Sequence, residues 1–203
     1  MEKKGAAYRV LNVPVIHQMP RYPTGCEAVA MTMLLQWAGK SITVDQVIAH
    51  MPRGPKPQWK DGVLHAPDPR EAFVGNPYDD RGSFGIYHQP LLRMLELFFP
   101  GRAVNLTDEP WEKIEAHLAG GVPVVIWGTI KMLPMKPTLT WKTPAGDSFQ
   151  WRGNEHAMTM VGFDDTHVFV NDPYTGRLEI YRKELFIDRW RSMFSQAISI
   201  RIR

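Results

Sequence analysis

Cys26 is the one thiol in 203 residues, and its neighbours in Pro23-Thr24-Gly25-Cys26-Glu27 place it where a helix begins. Thr24 can cap that helix while Glu27, three residues on, reaches back as the other half of a capping box, so Cys26 is expected in the first turn. There its sulfur would lie near unpaired backbone N–H groups and the positive end of the helix dipole. Both influences lower a thiol pKa and prepare a nucleophile. The plainer alternative is a small buried cysteine packed beneath the cap. A single cysteine excludes an intrachain disulfide and every Cys-based zinc or redox motif.

A thiolate nucleophile needs a general base, and the base needs an orienting partner. EHAMTMVGFDDTHVFVNDP offers both, because His156 opens one predicted strand and Asp172 closes the next. If Asp164-Asp165-Thr166 forms a three-residue loop, Phe163 faces His167 and Met158 faces Asp172. His156, two residues before Met158 and on the same side, is then the diagonal neighbour of Asp172. A two-residue loop would tend to put the pair on opposite faces. Asp164 and Asp165 sit roughly 25 Å along the strand from His156 and are read as turn formers. Taken singly, His156 is an ordinary strand-end histidine and Asp172 an ordinary start to a DPYTG turn. The order Cys26, then His156 130 residues later, then Asp172 16 residues beyond, matches papain-type thiol enzymes. Gln18, eight residues before the thiol, is placed for its amide to join the Cys26 backbone N–H as an oxyanion hole, a role for which stability does not depend on it.

An α+β framework is expected to hold these residues, with helices first and antiparallel strands later. Residues 26–38 form a helix apolar on almost every side, as at the centre of a domain. Residues 43–51 read as a short helix opened by a Thr43/Gln46 capping box. Pro52 to Asp80 is a long ordered loop dense in Pro, Gly, Asp and aromatics. Further helices are predicted at 88–99 and at 110–119, the latter with Pro110 at its first position. Strands follow at 122–130, at 139–142 and 148–152 around a PAG turn, at 157–163, 167–171 and 178–181. A helix over 183–190 and an edge strand carrying Ile198, Ile200 and Ile202 complete the chain. A single domain over 1–203 is expected, with a helical lobe over about 10–120 and an antiparallel β lobe over about 121–203.

With 44% hydrophobic and 22% charged residues and a net charge of +3 without charge blocks, the composition argues against nucleic-acid and membrane partners. No segment is long and apolar enough to span a bilayer, and the lysines at the start lack the apolar stretch of a signal peptide. The expected compartment is cytoplasmic, or external for a mature or trimmed form. Gly39-Lys40-Ser41 has Leu34 where a phosphate loop needs glycine, GxSxG and HExxH are absent, and seven histidines stand singly. No metal or organic cofactor is expected.

LNVPVIHQMPRYPTGCEAVAMTMLLQWAG resembles the opening of bacterial cysteine peptidases and peptidase-like proteins related to the bacteriocin-processing, double-glycine-leader peptidases. FVGNPY, SFGIYHQPL, GGVPVVIWGTI and EHAMTMVGFDDTHVFVNDP are similar in type and order, so the resemblance runs from about Val10 to the final strand. It implies a papain-like fold of the free-standing branch, with Cys26 as nucleophile, His156 as base, Asp172 as orienting residue and Gln18 in the oxyanion hole. The expected reaction is hydrolysis of an amide bond in a peptide or protein. Two rivals are acyl transfer by the same triad and a non-catalytic peptide-binding module using Trp59, Tyr78, Tyr87 or Trp141.

Overall fold

A computed structural model describes residues 10–202, so most of the lysine-bearing start lies outside the described residues. Helix α1 (Cys26–Trp37) is apolar all round because it is covered all round, and every residue from Cys26 to Leu35 is buried. Helix α2 (Val44–His50) opens with the expected capping box: Thr43 Oγ1 accepts the Gln46 N–H and Gln46 Oε1 accepts the Thr43 N–H. The segment read as a long loop carries four short strands, β1 (Arg53–Gly54), β2 (Gln58–Lys60), β3 (Val63–His65) and β4 (Phe73–Val74). Helix α3 (His88–Phe98), strand β5 (Ala103–Asn105) and helix α4 (Trp111–Ala119) follow, with Pro110 as N-cap of α4. The second half holds β6 (Val124–Thr129), β7 (Lys136–Lys142), β8 (Ser148–Gly153), β9 (Glu155–Phe163), β10 (His167–Asp172), β11 (Arg177–Arg182), α5 (Lys183–Ser192) and β12 (Ala197–Ile200).

A six-stranded antiparallel sheet in the order β11-β10-β9-β6-β12-β5 forms the centre. Helix α1 lies against β9 and α5 against β6, and all six residues of β6 are buried. One apolar cluster runs from Leu11 through α1 and β6 to Ile200. A second sheet, β2-β3-β7-β8, covers a smaller aromatic cluster containing Tyr87, Trp141, Phe149 and Trp151. Strand β12 differs from the edge strand expected: it is interior, between β6 and β5, and wholly buried. Its alternation misleads because Ser199 is satisfied internally, donating to the Pro123 carbonyl at 2.6 Å and bonding His117 Nε2 at 2.8 Å.

The β9–β10 hairpin sets the register of the site. Near the turn Phe163 pairs with Val168 rather than with His167, one residue off the three-residue-loop expectation. A bulge between Phe169 and Val170 takes up the difference, and Asn171 then pairs with Thr159. At the site end the register is therefore the expected one, and Asp172 returns to the level of Met158.

Candidate active site

His156 Nε2 lies 2.6 Å from Asp172 Oδ1, with both side chains about 1% exposed. Asp172 also accepts the Tyr174 N–H at 2.8 Å and faces the Tyr181 hydroxyl at 3.5 Å. Burial works against its charge. The hydrogen bond and charge of His156, with the Tyr174 and Thr175 N–H groups, outweigh that and hold its pKa below the ordinary value. An ionised Asp172 only accepts, so the shared hydrogen sits on His156 Nε2. In the neutral ring Nδ1 is then the basic atom. The edge of the Tyr174 ring, 6.2 Å between centroids, flanks the imidazole.

Cys26 is the first residue of α1, so its N–H has no acceptor within the helix. The expected capping box around it does not form. The N-cap is Gly25, Thr24 instead donates to the Asn76 and Asp79 carbonyls, and Glu27 turns inward, fully buried. There Glu27 Oε1 accepts the Ile86 N–H at 2.7 Å, while Oε2 takes the Cys26 thiol at 3.4 Å. Gly85 permits this approach, because a Cβ there would collide with the Glu27 carboxylate and press on that of Glu155. From the other side the Ala157 N–H points to Sγ at 3.5 Å.

Three donor atoms, one each from Cys26, Glu27 and Glu155, lie within 4.8 Å of one another, the spacing of a small cation site. Burial raises the Glu27 pKa to about 7, and burial together with the Glu27 charge raises that of Glu155 well above its usual range. For both carboxyls burial therefore favours the protonated form. Burial first, then the charges of Glu27 and Glu155, push the Cys26 thiol well up from 9.0. The helix start was expected to lower it; burial, reinforced by the acidic pair beside the sulfur, reverses the sign.

Gln18 is buried, and its Nε2 donates to the Tyr22 and Pro23 carbonyls at 3.2 and 3.0 Å. Its backbone C=O accepts from Tyr22 within that loop, and its N–H donates to the Pro173 carbonyl in the turn between β10 and β11. Its Oε1 is buried without a partner among the described residues. The amide thus ties down the turn leading into α1, contrary to the expectation of a residue expendable for stability. Gln18→Ala is expected to cost about 1–2 kcal/mol in urea unfolding through the lost bonds. An unchanged unfolding midpoint would show that the loop holds without it.

Gln18, Cys26, Glu155 and His156 line one cleft of about 230 Å3, with Phe84, Trp151 and Tyr174 among its aromatic walls. The family model for the peptidase C39-like family matches residues 10–198. The chain belongs to the peptidase C39-like family. Among its relatives, the uncharacterized protein YvpB of Bacillus subtilis (strain 168) is 30% identical over 201 residues, 98% of this chain and 78% of that one. A candidate C39-like peptidase from Bacillus anthracis, known from its crystal structure, is 32% identical with a TM-score of 0.87, over 98% and 99% of the two chains. A double-glycine-motif protease from an AMS/PCAT transporter, solved with its leader peptide, shares the fold at 18% identity and a TM-score of 0.52, over 98% and 97%. The α+β arrangement is therefore that of the C39-like peptidases.

In this C39-like chain the aromatic residues expected to line a peptide cleft lie elsewhere. Trp59 is 72% exposed, the Tyr78 hydroxyl bonds Asp45, and Tyr87 and Trp141 belong to the buried aromatic cluster. Glu155 and Tyr174 escaped the sequence reading. Glu155 had one available signal, a charged residue opening an otherwise apolar strand beside His156.

Proposed function

We propose that this C39-like protein is a thiol hydrolase cleaving amide bonds in peptides, with Cys26, His156 and Asp172 as its reacting and orienting groups. The observation that carries the reading is the single cleft lined by both Cys26, the N-terminal residue of α1, and His156, whose ring is bonded from behind by the buried Asp172. As the Cys26 sulfur bonds to the carbonyl carbon, its proton passes to His156 Nδ1, and Asp172 stabilises the imidazolium through Nε2. The oxyanion is received by the Cys26 N–H and, once one carbonyl contact is released, by the Gln18 amide. Collapse breaks the C–N bond as His156 protonates the leaving amine. Water, deprotonated by His156, then cleaves the thioester and restores the thiol. A peptide substrate accords with the leader peptide bound by the AMS/PCAT protease.

The test is mass spectrometry on a peptide library incubated with the protein, with Cys26→Ala in parallel and with a primary amine added in a third arm. New peptide termini that disappear with Cys26→Ala are expected. Termini formed equally by that variant overturn the reading, and amine-capped products would replace hydrolysis with acyl transfer.

A further inference from the structure

A cavity of about 500 Å3 opens beside β8, between the start of α3 and the loops before α4 and β12. No residue lines both this cavity and the Cys26 cleft. The partition is aromatic: Trp151, in the cleft wall, stacks on Tyr87, in the cavity wall, with ring centroids 5.6 Å apart and planes at 23°.

Arg152 follows Trp151 on β8 and lines the cavity. Its guanidinium lies 3.4 Å from the centroid of the Phe194 ring and donates to the Ser192 carbonyl. Among the described residues it has no carboxylate partner. The other arginine of the lining, Arg70, is neutralised by a forked pair with Asp68. Burial depresses the Arg152 pKa, as it does for a cation drawn from water without a counter-charge. On the same wall the Tyr87 hydroxyl, a donor, is buried without an acceptor among the described residues.

A guanidinium held over an aromatic ring without a counter-charge is suited to a carboxylate. Phe149, Met135 and Pro137 extend the lining with apolar surface that a bare inorganic anion would leave uncovered. Asp108 stands exposed at the rim and disfavours a ligand of high negative charge. We propose that this cavity is a second binding site, for a single carboxylate carried on an apolar body, with Arg152 as the partner of the anion. A peptide offers that chemistry at its C-terminal residue or on an aspartate side chain.

The test uses the full chain with Cys26→Ala, so that it is independent of the hydrolase reading. Binding of N-acetylphenylalanine, its carboxamide, and N-acetylaspartic acid α-amide is followed by calorimetric titration. The free acid is expected to bind at least tenfold more tightly than the carboxamide. Arg152→Gln should remove that advantage without altering carboxamide binding, and Arg152→Lys should retain part of it. Preference for N-acetylphenylalanine assigns the C-terminal carboxylate; preference for the aspartate compound assigns the side chain. Equal affinity for acid and amide, or an acid preference that survives Arg152→Gln, overturns the proposal. If Arg152→Gln fails to fold, the acid-to-amide ratio on the arginine-bearing chain decides alone.

Discussion

Asp172→Ala is expected to cost about 1–3 kcal/mol of folding stability, because it leaves buried donors without their acceptor. The carboxylate gathers the His156 ring at 2.6 Å and the Tyr174 N–H at 2.8 Å in a place where water cannot replace it. Asp172→Asn keeps one acceptor oxygen and should fold better. It supplies no negative charge to the imidazolium, however, and its amide can favour the wrong ring tautomer. In the comparable serine-enzyme substitution turnover falls about ten-thousand-fold, and a loss of that order is expected here. The pH sign follows from the lowered Asp172 pKa. Its contribution to stability is present above the unfolded value near 3.8 and is lost as pH falls through the lower folded value, so Asp172→Asn should flatten the acid limb. Urea unfolding and peptide turnover of the two variants test this, and full turnover by Asp172→Asn would remove Asp172 from its orienting role.

The pairing of His156 with Asp172 could be read from sequence because strand alternation is a local rule. It survived an error in the turn, where a bulge at Phe169/Val170 returned the ladder to the expected register. Helix α1 was equally readable, since apolar residues on every side have one common explanation. The direction of Glu27 was not. A glutamate three residues after a threonine satisfies the capping pattern, and what draws it inward is the Ile86 N–H, 59 residues away. Strands β1 to β5, of two or three residues each, give no alternation to detect. The local sequence pointed to an activated thiol, whereas burial, the inward turn of Glu27 and the approach of Glu155 from β9 set the opposite electrostatics.

Glu27→Gln therefore carries the second large expectation. In the unaltered protein iodoacetamide should label Cys26 more slowly than a free cysteine at pH 7–8, since both burial and the acidic pair favour the thiol. The substitution keeps an oxygen for the Ile86 N–H and removes the carboxylate 3.4 Å from the sulfur. Removing that buried charge favours the thiolate, so labelling should accelerate about tenfold at pH 8. The gain should shrink below pH 7, where Glu27 itself takes up a proton. Stability provides an independent readout. A carboxyl whose folded pKa is raised from 4.5 to about 7 stabilises the fold fully only below the unfolded value, and that contribution is lost as pH rises through the folded one. The shift corresponds to a loss on the order of 3 kcal/mol between pH 4.5 and 8, and Glu27→Gln should remove that part of the slope while the part due to the buried Glu155 remains. Labelling that is fast near neutrality in the unaltered chain and indifferent to Glu27→Gln would mean that the acidic pair does not govern the nucleophile. The acceleration together with a flattened stability curve would place the resting proton of the site on Cys26, leaving His156 to remove it only as the carbonyl is attacked.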